Sequence, residues 1–172
     1  MTQLITLWID ICLLRAAPQD LPASRVLPVL ALACYMLVSF VVSLSFYTGA
    51  EAFQVTVTDL GLLLVLVPGL LYLRGKTPRI NQTLSALAGC GCLLGLLALP
   101  LVRFLGQDVP VGEVPLVLSV FWLCLFVWNL LVVAHIMRHA LSTSLAVGIG
   151  VAVMYALINM QVISVLFPAP AG

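Results

Sequence analysis

The chain has 172 residues, of which 63% are hydrophobic and only 8% are charged, and its formal net charge is +1. Soluble domains carry about 25% charged residues, so a chain this apolar cannot cover its surface with polar groups in water. The small net charge also excludes a nucleic-acid-binding protein, which needs a basic surface to displace counterions from phosphates. The composition predicts an integral membrane protein.

Residues 1–17 predict an amphipathic helix that lies in the membrane interface. On a helix an apolar face forms opposite a narrow polar stripe, the face holding Leu4, Ile5, Trp8, Ile11 and Cys12 and the stripe Gln3, Thr6 and Asp10. Such helices lie at the headgroup boundary, a depth that suits tryptophan. Packing against the cytoplasmic edge of the bundle is the alternative. The segment has no basic n-region and no small-residue cleavage site, so we expect no signal peptide.

Residues 18–25 predict a hinge at the membrane surface. Pro18 biases Ala17 away from the helical conformation and so ends the first element. Asp20 or Ser24 can cap the helix that follows, and arginines at headgroup depth attract anionic lipid. The candidate hinge and headgroup-contact residues are Arg15, Pro18, Asp20, Pro22 and Arg25. An elbow that docks a partner is the alternative.

Five apolar segments follow, at about 26–47, 54–73, 82–105, 116–137 and 140–167. About 20 residues of helix cross the hydrocarbon core, and lipid offers the backbone no hydrogen bonds, so these spans must be helical. We therefore expect an all-α membrane protein with a five-helix transmembrane bundle over 26–167 and an external tail at 168–172. The connections are too short to fold as soluble domains.

The basic residues fall almost entirely on one side of this topology. Six of the seven share the side of the N-terminus: Arg15, Arg25, Arg74, Lys76, Arg79 and Arg138. The positive-inside rule then predicts a cytoplasmic N-terminus and a periplasmic C-terminus in a bacterial inner membrane.

Small residues in two spans predict close helix packing. The third span contains Gly91-x-x-x-Gly95, and the fifth places Ser142, Ala146 and Gly150 four residues apart. Such faces let helix backbones approach one another, either within one bundle or between subunits. The packing within one bundle is favoured.

Four polar residues in the spans are candidates for a polar site. Asp59 and Arg103 are ionisable, and such groups in a membrane are costly unless they are paired or functional. Counted from the predicted ends of their spans, both lie near the outer interface, which predicts an ion pair between them. Alternatively, Arg103 reaches the headgroups and Asp59 meets water. Asn129 and Asn159 lie deeper, where they form interhelical hydrogen bonds or line a polar path.

No enzyme motif occurs in the sequence, and we expect no catalytic residue, no cofactor and no metal site. His135 and His139 are four apart and share a helix face, but no third ligand has matching spacing, so they are interpreted as interfacial histidines. The five cysteines lie in apolar segments and are interpreted as packing residues.

The order of elements resembles that of the Yip1 family. An amphipathic N-terminal segment, five closely spaced helices and a short external tail are shared, and the stretch LLRAAPQDLPASR resembles the start of small bacterial members. The acidic and proline-containing cytoplasmic motifs of eukaryotic members are absent, so no site residue is carried over. The short connections, the lack of buried reactive groups and the small-residue helix faces indicate a non-enzymatic, Yip1-like scaffold or accessory subunit that organises lipids or other membrane proteins. The expected partners are the bilayer, other membrane proteins or further copies of the chain. The alternative is a small transporter or homo-oligomeric channel with a path lined by Asp59, Arg103, Asn129 and Asn159.

Overall fold

A computed structural model describes residues 2–105 and 116–167, which form six α-helices and two short 3₁₀ turns. The helices are α1 (Thr2–Cys12), α2 (Val26–Ser43), α3 (Gly49–Leu73), α4 (Ile80–Leu105), α5 (Leu116–Leu141) and α6 (Leu145–Leu166). Helices α2 to α6 are long and apolar enough to cross a membrane. The predicted all-α architecture of five spans behind an N-terminal helix is confirmed, and the chain is a multi-pass membrane protein. The predicted tail at 168–172 lies outside the described residues.

The second span begins five residues earlier than the sequence indicates. Thr48 and Glu51 form a capping box, in which the Glu51 carboxylate accepts hydrogen bonds from the Thr48 backbone amide at 3.1 Å and from its hydroxyl at 2.8 Å. This box starts α3 at Gly49 instead of residue 54, because it satisfies amide groups that a helix start otherwise leaves unpaired. Asp59 consequently lies ten residues inside α3, about 15 Å along its axis.

The junction between the last two spans also differs from the predicted one. Helix α5 continues to Leu141, and α6 begins at Leu145. Ser142 has a left-handed conformation with φ of 53°, which ends α5, and the Ser144 hydroxyl accepts a hydrogen bond from the Val147 amide at the start of α6. A left-handed residue closing one helix and a serine capping the next produce a tight turn between antiparallel helices.

The five long helices form a ring in which α4 is the most buried member. Helix α2 packs most extensively on α4, α5 packs on both α4 and α6, and α3 packs on α2. The ring closes where α3 meets α6, and these two helices pack on each other much less extensively than the other neighbouring pairs do. Residues 83–90 of α4 are all buried, because α1, α2 and α5 surround them.

Close packing of α5 and α6 depends on Gly148. A Cβ atom at this position would collide with the backbone oxygen of Ala134, whereas a Cβ at Gly150 would meet open space. The small-residue stripe predicted in the fifth span is not the packing face, since Ser142, Ala146 and Gly150 are exposed. In α4, by contrast, Gly91 and Gly95 face side chains of α2, as predicted for packing within one bundle.

Gly148→Ala should therefore destabilise the protein, and Gly150→Ala should not. Alanine normally gains up to about 1 kcal/mol over glycine in a helix, so the matched control at position 150 is expected to be neutral or stabilising. At position 148 the collision with backbone atoms outweighs this gain and separates the two helices. Thermal unfolding of the two purified variants measures the difference; equal melting temperatures would contradict the packing described here.

Helix α1 packs against the bundle instead of resting only on the lipid surface. The Trp8 ring covers Gly89 of α4, Ile11 is fully buried, and the Trp128 indole nitrogen donates a hydrogen bond of 2.9 Å to the carbonyl oxygen of Cys12. The inner face of α1 thus packs against the bundle, which was the alternative to a helix that only lies in the membrane interface. Ile5 remains exposed on another side, so the same helix can also contact lipid.

The predicted hinge is held to the bundle by side chains of α4 and α5. The Gln82 side-chain amide donates to the carbonyl oxygens of Gln19 at 3.2 Å and Leu21 at 2.8 Å. His135 is buried, and its Nε2 lies 3.0 Å from the carbonyl oxygen of Ala16. Among the candidate hinge residues one is buried and four are exposed: Pro18 is buried, and Arg15, Asp20, Pro22 and Arg25 are exposed. The Asp20 carboxylate accepts a hydrogen bond from the Ala17 amide at 2.8 Å, so it caps the 3₁₀ turn of the hinge instead of α2.

Gln82→Leu should loosen the hinge, because two carbonyl oxygens next to the membrane lose their donor. We expect faster hydrogen exchange and proteolysis over residues 16–24 and a loss of about 1 kcal/mol per hydrogen bond in the free energy of unfolding. The exposed neighbouring side chain of Asn81 offers the matched control, Asn81→Leu, which should leave both quantities unchanged. Equal exchange in the two variants would show that Gln82 does not hold the hinge.

Candidate functional site

A polar cluster joins three helices near the middle of the bundle. The carboxylate of Asp59 on α3 accepts a hydrogen bond of 2.5 Å from the Tyr35 hydroxyl on α2 and one of 2.6 Å from the Asn159 side-chain amide on α6. Tyr155 lies one turn before Asn159 on α6. The bond between Asp59 and Asn159 lies at the contact of α3 with α6, where the ring of helices has its least extensive packing.

The depth of this cluster explains why it needs internal partners. Tyr35 is nine residues from the first residue of α2 and Asp59 is ten from the first residue of α3, each about 14 to 15 Å along its helix. At this depth water does not solvate a carboxyl group, and an unpaired polar group costs free energy. Donors from two other helices therefore satisfy Asp59.

The expected ion pair between Asp59 and Arg103 does not form. Measured from the ends of α3 and α4 that the 74–79 connection joins, Asp59 lies 14 residues along, about 21 Å, and Arg103 lies 23 residues along, about 35 Å. The prediction was wrong because it placed the start of α3 five residues too late and so set Asp59 too close to the interface. Among the described residues the partners of Asp59 are Tyr35 and Asn159, and the Arg103 side chain is exposed.

A cavity of about 600 Å³ lies inside the ring of helices, and all five spans contribute to its lining. Its walls are almost entirely aliphatic and aromatic. Two residues of its lining, Trp122 and Met137, are 15 positions apart on α5, so the cavity extends about 22 Å along that helix. It is long, apolar and roughly parallel to the helices.

The cavity reaches the surface that faces lipid. Several residues of its lining are also strongly exposed, among them Val65 at 69%, Leu73 at 81% and Met154 at 58%. The first two belong to α3 and the third to α6, and these are the two neighbouring helices that pack least extensively on each other. A side opening between α3 and α6 follows from this arrangement.

The few polar residues of the lining lie near the middle of the cavity. Tyr35, Tyr155 and Ser39 line it, whereas Asp59 does not line it and is bonded to the Tyr35 hydroxyl. Asn129 also lines the cavity, and within the described residues its side-chain amide has no hydrogen-bond partner. An unpaired amide in a membrane interior favours a ligand group that can hydrogen-bond to it.

The structure thus brings together part of the predicted polar site. Asp59 and Asn159 are bonded to each other, Asn129 faces the adjacent cavity, and Arg103 is separate. Tyr35 and Tyr155 are absent from the predicted polar site, although a tyrosine in the middle of an apolar span is a recognisable signal, since its hydroxyl needs a partner there.

The residues of the described ranges offer no evident metal centre. No group of three or more His, Cys, Asp or Glu side chains is placed to hold a metal ion in the part of the chain that the structure describes. His135 and His139 have ring centroids 4.6 Å apart, but His135 is engaged with the carbonyl of Ala16. The contact of His135 with Ala16 joins α5 to the segment before the hinge.

In comparisons with known proteins, no family model matches the chain, and no curated protein or solved structure is significantly similar to it. A function for the chain therefore has to be argued from the cavity and the polar cluster themselves.

Proposed function

We propose that this protein is a non-enzymatic integral membrane protein that holds one long-chain molecule in its central cavity, and that it serves as an accessory component in organising lipids or other membrane proteins. The observation that carries the proposal is the long apolar cavity that opens sideways between α3 and α6. Ligand sites typically measure about 300 to 1,000 Å³ and combine apolar walls with a few polar groups, a description that this cavity fits.

The chemistry of the lining favours a neutral polar group on the ligand. No arginine, lysine or histidine lines the cavity within residues 2–105 and 116–167, so a charged phosphate would be left without a counterion. Asn129 and the two tyrosines offer neutral donors and acceptors. A long chain that carries a hydroxyl or carbonyl group satisfies both the walls and the amide.

Binding measurements with two probes test this proposal. We expect the purified protein in mild detergent to bind a long-chain primary alcohol at least about tenfold more tightly than an alkane of equal length. In Asn129→Leu the advantage of the alcohol over the alkane should disappear, because the amide that recognises the hydroxyl is gone. If the wild-type protein does not bind the long-chain alcohol more tightly than the alkane in native mass spectrometry, the proposal fails.

We further propose a bacterial inner-membrane location with a cytoplasmic N-terminus, in keeping with the Yip1-like order of elements. The support is the charge distribution, since six basic residues lie at the end of the bundle that holds the start of α2 and the end of α5. A C-terminal alkaline phosphatase fusion should be active, and a C-terminal fluorescent protein fusion should be dark. The opposite pattern would reverse the topology.

One observation favours the alternative of a small transporter or homo-oligomeric channel. The bonded group of Tyr35, Asp59 and Asn159 lies at mid-depth, where polar groups often mark a solute path. Reconstituted vesicles would then show a flux that Asp59→Leu abolishes. Vesicles without flux would leave the binding function as the better explanation.

A further inference from the structure

A second depression, distinct from the cavity, lies where the hinge and the 3₁₀ turn before α4 meet the junction of α5 and α6. It measures about 520 Å³, and its lining is polar and basic: Gln19, Arg79, Arg138, His139, Ser142 and Thr143. It lies at the basic end of the bundle, at the ends of two membrane spans, which is the depth of lipid headgroups.

Arg79 is fixed in place while part of its guanidinium group remains available. Its Nη1 donates to the carbonyl oxygens of His139 at 3.0 Å and Ala140 at 3.1 Å, and lies 2.6 Å from the Ser142 hydroxyl. These bonds orient the side chain against the last turn of α5. Its Nε and Nη2 atoms make no bond to any described residue, so they remain free to donate to a ligand.

The other lining groups add further free donors. The Nη2 atom of Arg138 lies 3.2 Å from Nε2 of His139, and its other nitrogens have no partner within residues 2–105 and 116–167. The Thr143 hydroxyl is buried and has no hydrogen-bond partner among the described residues. Two guanidinium groups on one depression repel each other unless an anion lies between them.

Acidic groups do not offset this charge at the depression itself. No carboxylate belongs to its lining in the described part of the chain. Asp20 is the acidic residue that acts electrostatically on His139, but it is exposed and its carboxylate is bonded to the Ala17 amide. The depression therefore keeps a local excess of positive charge.

We propose that this depression binds a phosphate group. Arg79 and Arg138 supply charged donors whose planar fork matches phosphate oxygens, and Thr143 supplies a hydroxyl donor. The buried Oε1 of Gln19, which also has no partner among the described residues, is an acceptor for a hydroxyl group of the ligand. The phosphate belongs either to a lipid headgroup or to a free phosphate compound, and the same donors recognise both.

Binding to protein in mild detergent tests this site independently of the cavity. Native mass spectrometry and thermal shifts would be recorded with phosphatidic acid, with a neutral diacylglycerol of the same chains, and with inorganic phosphate. We expect phosphatidic acid to bind at least about tenfold more tightly than diacylglycerol, and Arg138→Gln to remove this difference. Arg74→Gln, which changes an exposed arginine at the same end that does not line the depression, is the matched control and should retain the difference.

Two further measurements show whether the bound phosphate belongs to a lipid or to a free compound, and keep the site testable if one variant does not fold. Competition by inorganic phosphate at millimolar concentration would assign the site to free phosphate compounds, and its failure to compete would assign the site to lipid headgroups. If Arg138→Gln does not fold, Thr143→Val replaces it, because that change removes one hydroxyl and keeps the shape of the side chain. The proposal is overturned if the site variant binds phosphatidic acid as tightly as Arg74→Gln does, or if the wild-type protein prefers neither phosphate probe to diacylglycerol.

Discussion

Asn159→Leu should lower the free energy of unfolding by about 2 kcal/mol, because it leaves a carboxylate oxygen of Asp59 without its donor in the middle of the bundle. The bond is 2.6 Å long and joins α3 to α6, the two neighbouring helices with the least extensive packing. Loss of this bond should therefore also widen the side opening of the cavity. Equilibrium unfolding in detergent measures the stability change.

A double variant separates this bond from a general effect of leucine. In Asp59→Leu/Asn159→Leu both polar groups are replaced by apolar ones, so the loss should be smaller than the sum of the two single losses. Gln161→Leu, two residues along the same helix, is the matched control, because that side chain is exposed and makes no bond to the described residues. A fall in stability for Gln161→Leu as large as for Asn159→Leu, or strict additivity in the double variant, would contradict the role given to the pair.

Ala98→Phe should abolish binding of a long chain while the bundle stays folded. Ala98 lies on the cavity wall, and a benzyl side chain there would occupy space that the ligand needs. The affinity for a long-chain alcohol should fall at least about tenfold, a loss of about 1.4 kcal/mol or more. The empty space that receives the ring limits the strain of the larger side chain, so the melting temperature should change little.

The neighbouring position supplies the control for this experiment. Leu97 is 54% exposed on the outside of α4 and does not line the cavity. Leu97→Phe adds an aromatic ring of the same kind at nearly the same depth, facing lipid, and should bind the alcohol like the wild-type protein. Equal affinities for the Ala98 and Leu97 variants would place the ligand outside the cavity.

The sequence predicts the spans well because each is a long apolar run, and lipid leaves the backbone no alternative to a helix. It predicts their ends less well. The capping box of Thr48 and Glu51 starts α3 five residues before the apolar run. The left-handed Ser142 ends α5 at Leu141, four residues beyond the predicted end at 137. Hydropathy does not register these caps, although the Thr-x-x-Glu spacing of the first one is readable in the sequence.

The candidate site is only partly readable from the sequence. Polar residues in spans are conspicuous, so Asp59, Asn129 and Asn159 could be selected, but their partners depend on helix rotation and depth. The error of five residues at the start of α3 was enough to pair Asp59 with Arg103 instead of Tyr35. The cavity arises from the way in which five helices pack together, so the sequence pattern of a single helix does not predict it.

Photolabelling distinguishes a ligand inside the bundle from one bound on its outer surface. A long-chain alcohol that carries a diazirine near the end of its chain would be irradiated with the protein in mild detergent, and the labelled residues would be located by mass spectrometry. The predicted result is labelling of buried cavity residues such as Leu94 and Met137, suppressed by excess unlabelled alcohol and absent in Ala98→Phe. Labelling confined to outward-facing residues such as Leu64 and Leu97, with no suppression by competitor, would contradict a ligand inside the bundle.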